Sequence, residues 1–173
     1  VLIVLPDGFE FAETWFATLR AGCVFAMVNP LLHREQFEHY LEYTKARIVV
    51  TSEEVLGDIE PAMRDAKLCE HLVVVGQHAG DHLAYEDLIA AEDPTSDLAA
   101  CESTGPDDLA GWLFTSGSTG MPKACVHTHG DFAANTELYA MGVVGYREDD
   151  VCLSVPKLFF GYATGTNLMF PFR

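Results

Sequence analysis

Within nine residues, Thr115-Ser116-Gly117-Ser118-Thr119-Gly120-Met121-Pro122-Lys123 gathers two glycines, four hydroxyl side chains and a lysine. Gly117 and Gly120 carry no Cβ, so the backbone can curl and approach a ligand closely. Successive N–H groups in such a turn converge into an anion-binding nest. The hydroxyls of Thr115, Ser116, Ser118 and Thr119 add donors, and Lys123 adds a mobile positive charge. This is equipment for holding a polyphosphate. It is not a Walker A loop, which needs Gly-Lys-Ser/Thr opening a helix, because Met121 and Pro122 follow Gly120. Leu109 to Phe114 reads as a buried strand and Lys123 to Thr128 as another. A strand–loop–strand setting removes the helix macrodipole and leaves amides, hydroxyls and Lys123 to hold the phosphates.

Other constellations carry less. A Ser/Gly-rich linker is the plain alternative for the loop, but linkers rarely sit between two apolar strands or end in Pro-Lys. Ser116 and Ser118 fit phosphate donation better than nucleophilic attack, since neither lies in G-x-S-x-G and no strand-to-helix elbow follows. His127 and His129 would share a face if both lay on a strand, yet no third ligand has a persuasive spacing. The plain reading puts one histidine in a strand and the other at a helix entrance, and no metal ligand is assigned. Glu148-Asp149-Asp150 reads as a solvated turn. Phe159, Phe160, Gly161 and Tyr162 form the second informative cluster, readable from the residues alone as core or as a ligand wall.

The elements that must position these residues alternate. Val1 to Leu5 is a continuous apolar run, expected of a strand buried on both faces. A helix follows from Phe9 to Ala21, with Phe9, Trp15, Phe16 and Leu19 as its apolar positions and Gly22 as its stop. Val24 to Val28 is a strand, Arg34 to Thr44 a helix with Phe37, Tyr40 and Leu41 on one face, and Arg47 to Thr51 a strand. Ser52 is placed to cap a helix reaching Ala66, and His71 to Val75 is a fourth strand. This alternation predicts α/β architecture: three layers, with a parallel sheet of βαβ units. A short helix is expected at Tyr85 to Ala91 and an organisational boundary near residue 105. Beyond the loop, a helix from Gly130 or Asp131 to Met141, a strand from Val151 to Val155 broken by Pro156, and a buried helix from Phe159 to Phe170 are expected.

The 173 residues suffice for one domain, read as a single α/β segment over residues 1–173. The chain opens inside a strand and ends without a terminating element, so both ends read as cut. The formal charge of −16 is uneven: residues 1–109 carry −15 and residues 110–173 carry −1. The acidic part reads as a solvated surface and argues against nucleic acid or an anionic membrane as partners. A nucleotide can approach the nearly neutral part, which holds the loop. No apolar run reaches the length of a membrane span. Cys23, Cys69, Cys101, Cys125 and Cys152 share no CxxC spacing and read as free thiols in a reducing cytoplasm.

TSGSTGMPKACVHTH resembles the phosphate loop of the acyl-adenylate-forming enzymes, a superfamily of acyl- and aryl-CoA ligases, luciferases and peptide-synthetase adenylation domains. Ala124 stands where that loop usually has glycine, a mild departure between two small residues. Gly145 to Val151, Lys157 to Tyr162 and the upstream stretch Trp15 to Pro30 are similar to the benzoate-CoA ligase branch in particular. The resemblance implies a segment of the large N-terminal adenylation domain, inactive alone. It implies activation of an aromatic acid by ATP with Mg²⁺, then thioester formation with CoA, in the cytoplasm, with a homodimer compatible. Thr115, Ser116, Gly117, Ser118, Thr119 and Gly120 would hold the β- and γ-phosphates, and Lys123 the departing pyrophosphate. Adenine and Mg²⁺ ligands are expected outside the segment. Phe159, Phe160, Gly161 and Tyr162 would line the acid pocket. Gly161, where relatives often have alanine, would open the wall for an ortho substituent, as in 2-aminobenzoate. A carrier-protein-loading adenylation domain and a non-catalytic nucleotide-binding module stay open.

Overall fold

The computed structural model describes residues 1–64, 66–92, 103–115 and 120–172. Its centre is a seven-stranded sheet in the order β5-β4-β3-β1-β2-β6-β7. The strands are β1 (Leu2–Val4), β2 (Phe25–Met27), β3 (Ile48–Ser52), β4 (His71–Val75), β5 (Leu83–Ala84), β6 (Leu109–Thr115) and β7 (Lys123–Thr128). Neighbours run parallel except β6 and β7, which are antiparallel. β1 is central and buried on both faces, as its unbroken apolar run requires.

Helices cover both faces. Side chains alternate along each strand, so Ile3, Phe25, Met27, Val50 and Val73 share one face with Phe11 and Trp15 of α1 (Phe9–Arg20) and Leu168 near the end of the chain. Leu2, Val4, Ala26, Val49 and Val74 share the other with Phe37 and Leu41 of α2 (Arg34–Thr44) and Ile59 and Ala62 of α3 (Leu56–Arg64). The three layers expected from the sequence are present. Each fully buried Phe is worth roughly 1.5–3 kcal/mol, so Phe11, Phe25 and Phe37 are major anchors of these layers.

Several local readings need correction. Phe9 is 85% exposed, and α1 buries Phe11, Thr14, Trp15 and Thr18 instead. At 100° per residue, positions 11, 15 and 18 make one stripe, and Phe9 lies on the far side of it. Ser52 makes no capping bond, and the chain enters α3 through a 3₁₀ turn, Glu53–Val55. β5 has no counterpart among the expected strands, while α4 (Tyr85–Ala91) matches its predicted range. After α5 (His129–Asn135) the helix widens into a π-helix over Thr136–Val144, and α6 (Gly161–Thr164) continues likewise over Gly165–Met169. The buried helix expected from Phe159 therefore begins only at Gly161, and Phe160 and Tyr162 are exposed. Residues 151–155 form no strand: Val151, Leu153 and Val155 are 96%, 90% and 90% exposed. Alternation alone makes no strand where no neighbouring edge takes up its backbone hydrogen bonds.

β6 is gripped on both faces. Phe114 packs edge-on against Tyr40 and Tyr43 of α2, at 4.7 and 5.6 Å between centroids. On the opposite face Gly111 pairs with Phe25, whose ring lies across it. A Cβ at Gly111 would stand 2.1 Å from Phe25 Cζ, so glycine is required here by close approach. Gly111→Ala is therefore expected to destabilise the protein by about 1–3 kcal/mol or more. A denaturation midpoint equal to that of the parent would contradict this packing.

Candidate functional site

Because β1 to β4 and β6 run parallel, their carboxyl ends share one edge of the sheet. From β1 the chain passes through α1 on one face to β2; it then returns through α2 on the other face to β3, beyond β1. Such a switch point opens a crevice at the carboxyl ends, where open α/β sheets bind ligands. The hairpin of β6 and β7 turns at this same edge. Thr115 pairs with Lys123 across it, and the Thr115 hydroxyl donates to the Lys123 carbonyl at 3.4 Å. Ser116, Gly117, Ser118 and Thr119 lie outside the described residues. Gly120 has φ +120°, a glycine conformation, and a Cβ there would meet no atom of the described residues within 4 Å. Lys123 is exposed and makes no ion pair among the described residues.

β7 leads into α5 without a loop. The Thr128 N–H donates to Asp131 Oδ2 at 2.9 Å. Trp15, Phe25 and Phe132 then lock α5 to α1 and β2, with centroid separations of 5.3 to 6.0 Å. Aromatic pairs of this geometry contribute about 0.5–1.5 kcal/mol each beyond their buried area. The Lys123 end of the hairpin is thus fixed from both sides. His127 lies on β7 and His129 opens α5, so the two do not share a strand face. Among the described residues no group of three His, Cys, Asp or Glu side chains gathers as a metal site. Glu148 to Asp150 form a turn in which the Arg147 N–H donates to Asp150 at 2.8 Å.

The segment 157–162 crosses the same edge. Phe159 packs into the core layer that holds Phe11 and Trp15, and its ring centroid lies 4.5 Å from that of Phe160. Gly161 and Tyr162 border a cavity of about 470 Å³, together with Asn135, Tyr139, Tyr146 and Phe170. Phe159 and Phe160 are not among its lining residues. Both π-helical stretches bound this cavity, and wide turns of this kind are frequent at functional sites. Desolvation raises the Tyr146 phenol above its ordinary pKa, which keeps it a neutral donor; it bonds the Thr166 carbonyl at 3.4 Å. Volume and aromatic lining suit a small aromatic ligand. A second hollow, of about 460 Å³, lies at the opposite edge beside Val1, Val24 and Ile48, where strands begin.

Thr115 and the cavity lie toward the same sheet face. A Cβ on Gly161 would lie 3.2 Å from Leu113 Cδ1. Leu113 and Thr115 point the same way along β6, roughly 7 Å apart. Gly161 therefore lies both against β6 and at the border of the cavity, where a methyl would touch Leu113.

The AMP-binding enzyme model matches residues 1–173. The chain belongs to the AMP-binding enzyme family. It is 40% identical over 171 residues to the benzoate–CoA ligase of Thauera aromatica, spanning 99% of this chain and 32% of that protein. A benzoate CoA ligase structure from Burkholderia xenovorans superposes with a TM-score of 0.85 at 34% identity, over 98% of this chain and 32% of that one. An anthranilate CoA ligase in complex with anthranoyl-AMP superposes with a TM-score of 0.90 at 29% identity, over 98% and 33%. The chain thus spans about a third of the length of each of these proteins. As in these AMP-binding relatives, the fold is α/β. No helix among the described residues is long and apolar enough to cross a membrane. Cys23, Cys69, Cys125 and Cys152 are free thiols, and Cys101 lies outside the described residues. The sequence did not assign Asn135, Tyr139 or Tyr146 to the site: Asn135 and Tyr139, four residues apart, share a helix face, but Tyr146 joins them only through the fold of the chain after Gly145.

This geometry makes two outcomes measurable. The Thr128 N–H holds the Asp131 carboxyl below the usual carboxylate range. A depressed carboxyl contributes stability above its unfolded pKa and loses it as pH falls through the folded value. Asp131→Ala should therefore be less stable than the parent at pH 6, with the gap closing toward pH 3; a gap that stays constant across acid titrations would refute the cap. For Gly161→Ala in the full-length enzyme, kcat/KM for benzoate and 2-aminobenzoate should fall by the same factor. A selective loss of roughly tenfold or more on 2-aminobenzoate would instead show that the missing methyl widens the pocket wall.

Proposed function

We propose that the full-length protein activates an aromatic carboxylic acid of the benzoate class with ATP and transfers the acyl group to CoA. This chain supplies part of its large N-terminal adenylation domain. The observation that carries the reading is the aromatic-lined cavity at Gly161 and Tyr162, on the same sheet face and at the same edge as the Thr115–Lys123 turn. Likeness to benzoate and anthranilate CoA ligases supports benzoate or a substituted benzoate such as 2-aminobenzoate as the acid.

In the first half-reaction a carboxylate oxygen attacks the α-phosphorus of ATP, the bond to the bridging oxygen breaks, and pyrophosphate leaves. In the second, the CoA sulfur attacks the acyl carbon, AMP departs with the electron pair of the acyl–oxygen bond, and the thiol proton is released. A carboxylate is a weak nucleophile, so the first barrier is set largely by charge developing on the phosphates. Thr115 to Gly120 present amides and hydroxyls to the β- and γ-phosphates, and Lys123 holds the departing pyrophosphate. Tyr162 and the backbone of Gly161 border the ring of the acid, with Phe159 and Phe160 supporting the turn that carries them. Mg²⁺, carried in with ATP, would find its protein ligands outside this segment.

Lys123→Ala in the full-length enzyme should slow acyl-adenylate formation by roughly 100- to 1,000-fold, the range for losing one preorganised donor. Thioester formation from preformed acyl-adenylate should stay nearly unchanged, since no pyrophosphate leaves in that step. Equal losses in both half-reactions would make Lys123 structural. Acid-dependent pyrophosphate exchange over a panel of aromatic acids tests the reading as a whole. Exchange with none of them would overturn it, and acyl transfer to a carrier protein in place of CoA would overturn the acceptor.

A further inference from the structure

We infer that Asp7 is a positioning residue for the acid-binding wall, fastening the backbone that enters Gly161 and Tyr162 to the end of the central strand. This rests on the acid-pocket reading of that wall. Asp7 follows β1 in the turn Pro6-Asp7-Gly8. An aspartate just ahead of a helix ordinarily caps it, but the N-cap of α1 is Gly8, and no side chain caps that helix. Both Asp7 oxygens are turned the other way. Oδ1 accepts the Leu158 N–H at 2.9 Å, and Oδ2 lies 3.5 Å from Lys157 Nζ.

The segment is held at its other end by its own helix. The buried Thr164 hydroxyl, on α6, donates to the Leu158 carbonyl at 2.6 Å and lies 3.1 Å from that of Phe160. The Phe160 N–H closes a turn on Lys157 at 2.9 Å. Thr164 and the turn fix 157–164 as a unit, and the Thr164 hydroxyl also lies 3.9 Å from Met27 Sδ of β2, a weak sulfur contact; the charged carboxylate of Asp7 makes the stronger and more directional tie, to the backbone itself. Leu158 and Phe159 add apolar packing, which is less directional. A carboxylate accepting a backbone N–H makes a charge-assisted bond, stronger than its neutral counterpart. Misplacement of a substrate wall by about 1 Å is enough to cost a reaction heavily through lost orientation. Asp7 acts through the backbone it holds and does not touch the acid.

The test uses the full-length protein and two readouts. In Asp7→Ala, hydrogen exchange of the peptide covering 157–162 should accelerate about three- to tenfold, after allowance for a partly exposed bond. The KM for the aromatic acid should rise by a similar factor while the KM for ATP holds. Asp7→Asn keeps an acceptor and Lys157→Ala keeps the backbone bond, so both should remain near the parent in both readouts. Should Asp7→Ala not fold, Asp7→Ser, too short to reach Leu158, takes its place. Unchanged exchange at 157–162, or Asp7→Asn behaving like Asp7→Ala, overturns the inference. So does a parallel rise in KM for acid and ATP. A parent that activates no aromatic acid sinks the functional reading instead, and the exchange measurement still decides whether Asp7 holds the segment.

Discussion

The antiparallel pairing of β6 with β7 sets the geometry on which the site depends. Register alone puts Lys123 opposite Thr115, at the edge where the parallel strands end. A slip of one residue would turn every side chain of β7 to the other face and take the ammonium away from the crevice. The register is defended by packing far from the loop: Tyr40 and Tyr43 hold Phe114 from one face, while Phe25 fills the space over Gly111 on the other. Phe132, stacked on Phe25 at 6.0 Å, holds the far end of β7 through α5. A rigid base below a glycine-rich turn lets its donors be preorganised, and donors that need no reorganisation lower a barrier most effectively.

Electrostatics follows the same division of labour. Nearly all of the negative charge belongs to residues 1–109, which supply most of the parallel sheet and its covering helices, while the hairpin and the cavity come from the nearly neutral remainder. β7 follows the turn directly, and Lys123 at its start has no carboxylate partner among the described residues. Lys157, the other lysine near the crevice, is already engaged by Asp7. The two lysines therefore differ: Lys157 is paired with Asp7, and Lys123 has no ion-pair partner among the described residues.

The sequence disclosed what local pattern encodes. Buried parallel strands are unbroken apolar runs, so β1, β2, β3 and β4 were readable to within a residue or two, and the hairpin was readable from its Ser/Gly turn between apolar flanks. Helix faces were read less well: Phe9 is apolar but sits opposite the stripe of Phe11, Trp15 and Thr18. Features that depend on distant partners were not legible. The alternation of Val151, Leu153 and Val155 has the period of a strand but finds no edge to pair with. The cavity is bordered by two π-helical stretches, whose hydrogen bonds include Gly145 to Ala140 and Phe170 to Gly165, a spacing that amphipathic periodicity does not signal. Asp7 in a Pro-Asp-Gly turn looks like any turn aspartate until residues 157 and 158 fold against it.

Gly161 illustrates how far a single missing methyl can be read. On sequence alone, glycine before a pocket tyrosine suggests extra room for the ligand. The backbone adds a second role: a Cβ there would lie 3.2 Å from Leu113 Cδ1 and meet no other atom of the described residues within 4 Å, so glycine also gives α6 a close seat on β6. On the proposed reading, helix-to-strand packing would set the distance between acid and phosphate, and Asn135, Tyr139 and Tyr146, which line the cavity, would bound the ligand. Under the proposed function, selectivity among substituted rings is expected from the aromatic residues that line the cavity, Tyr139, Tyr146 and Tyr162, and the response of Gly161→Ala to an ortho substituent decides whether the glycine adds to it.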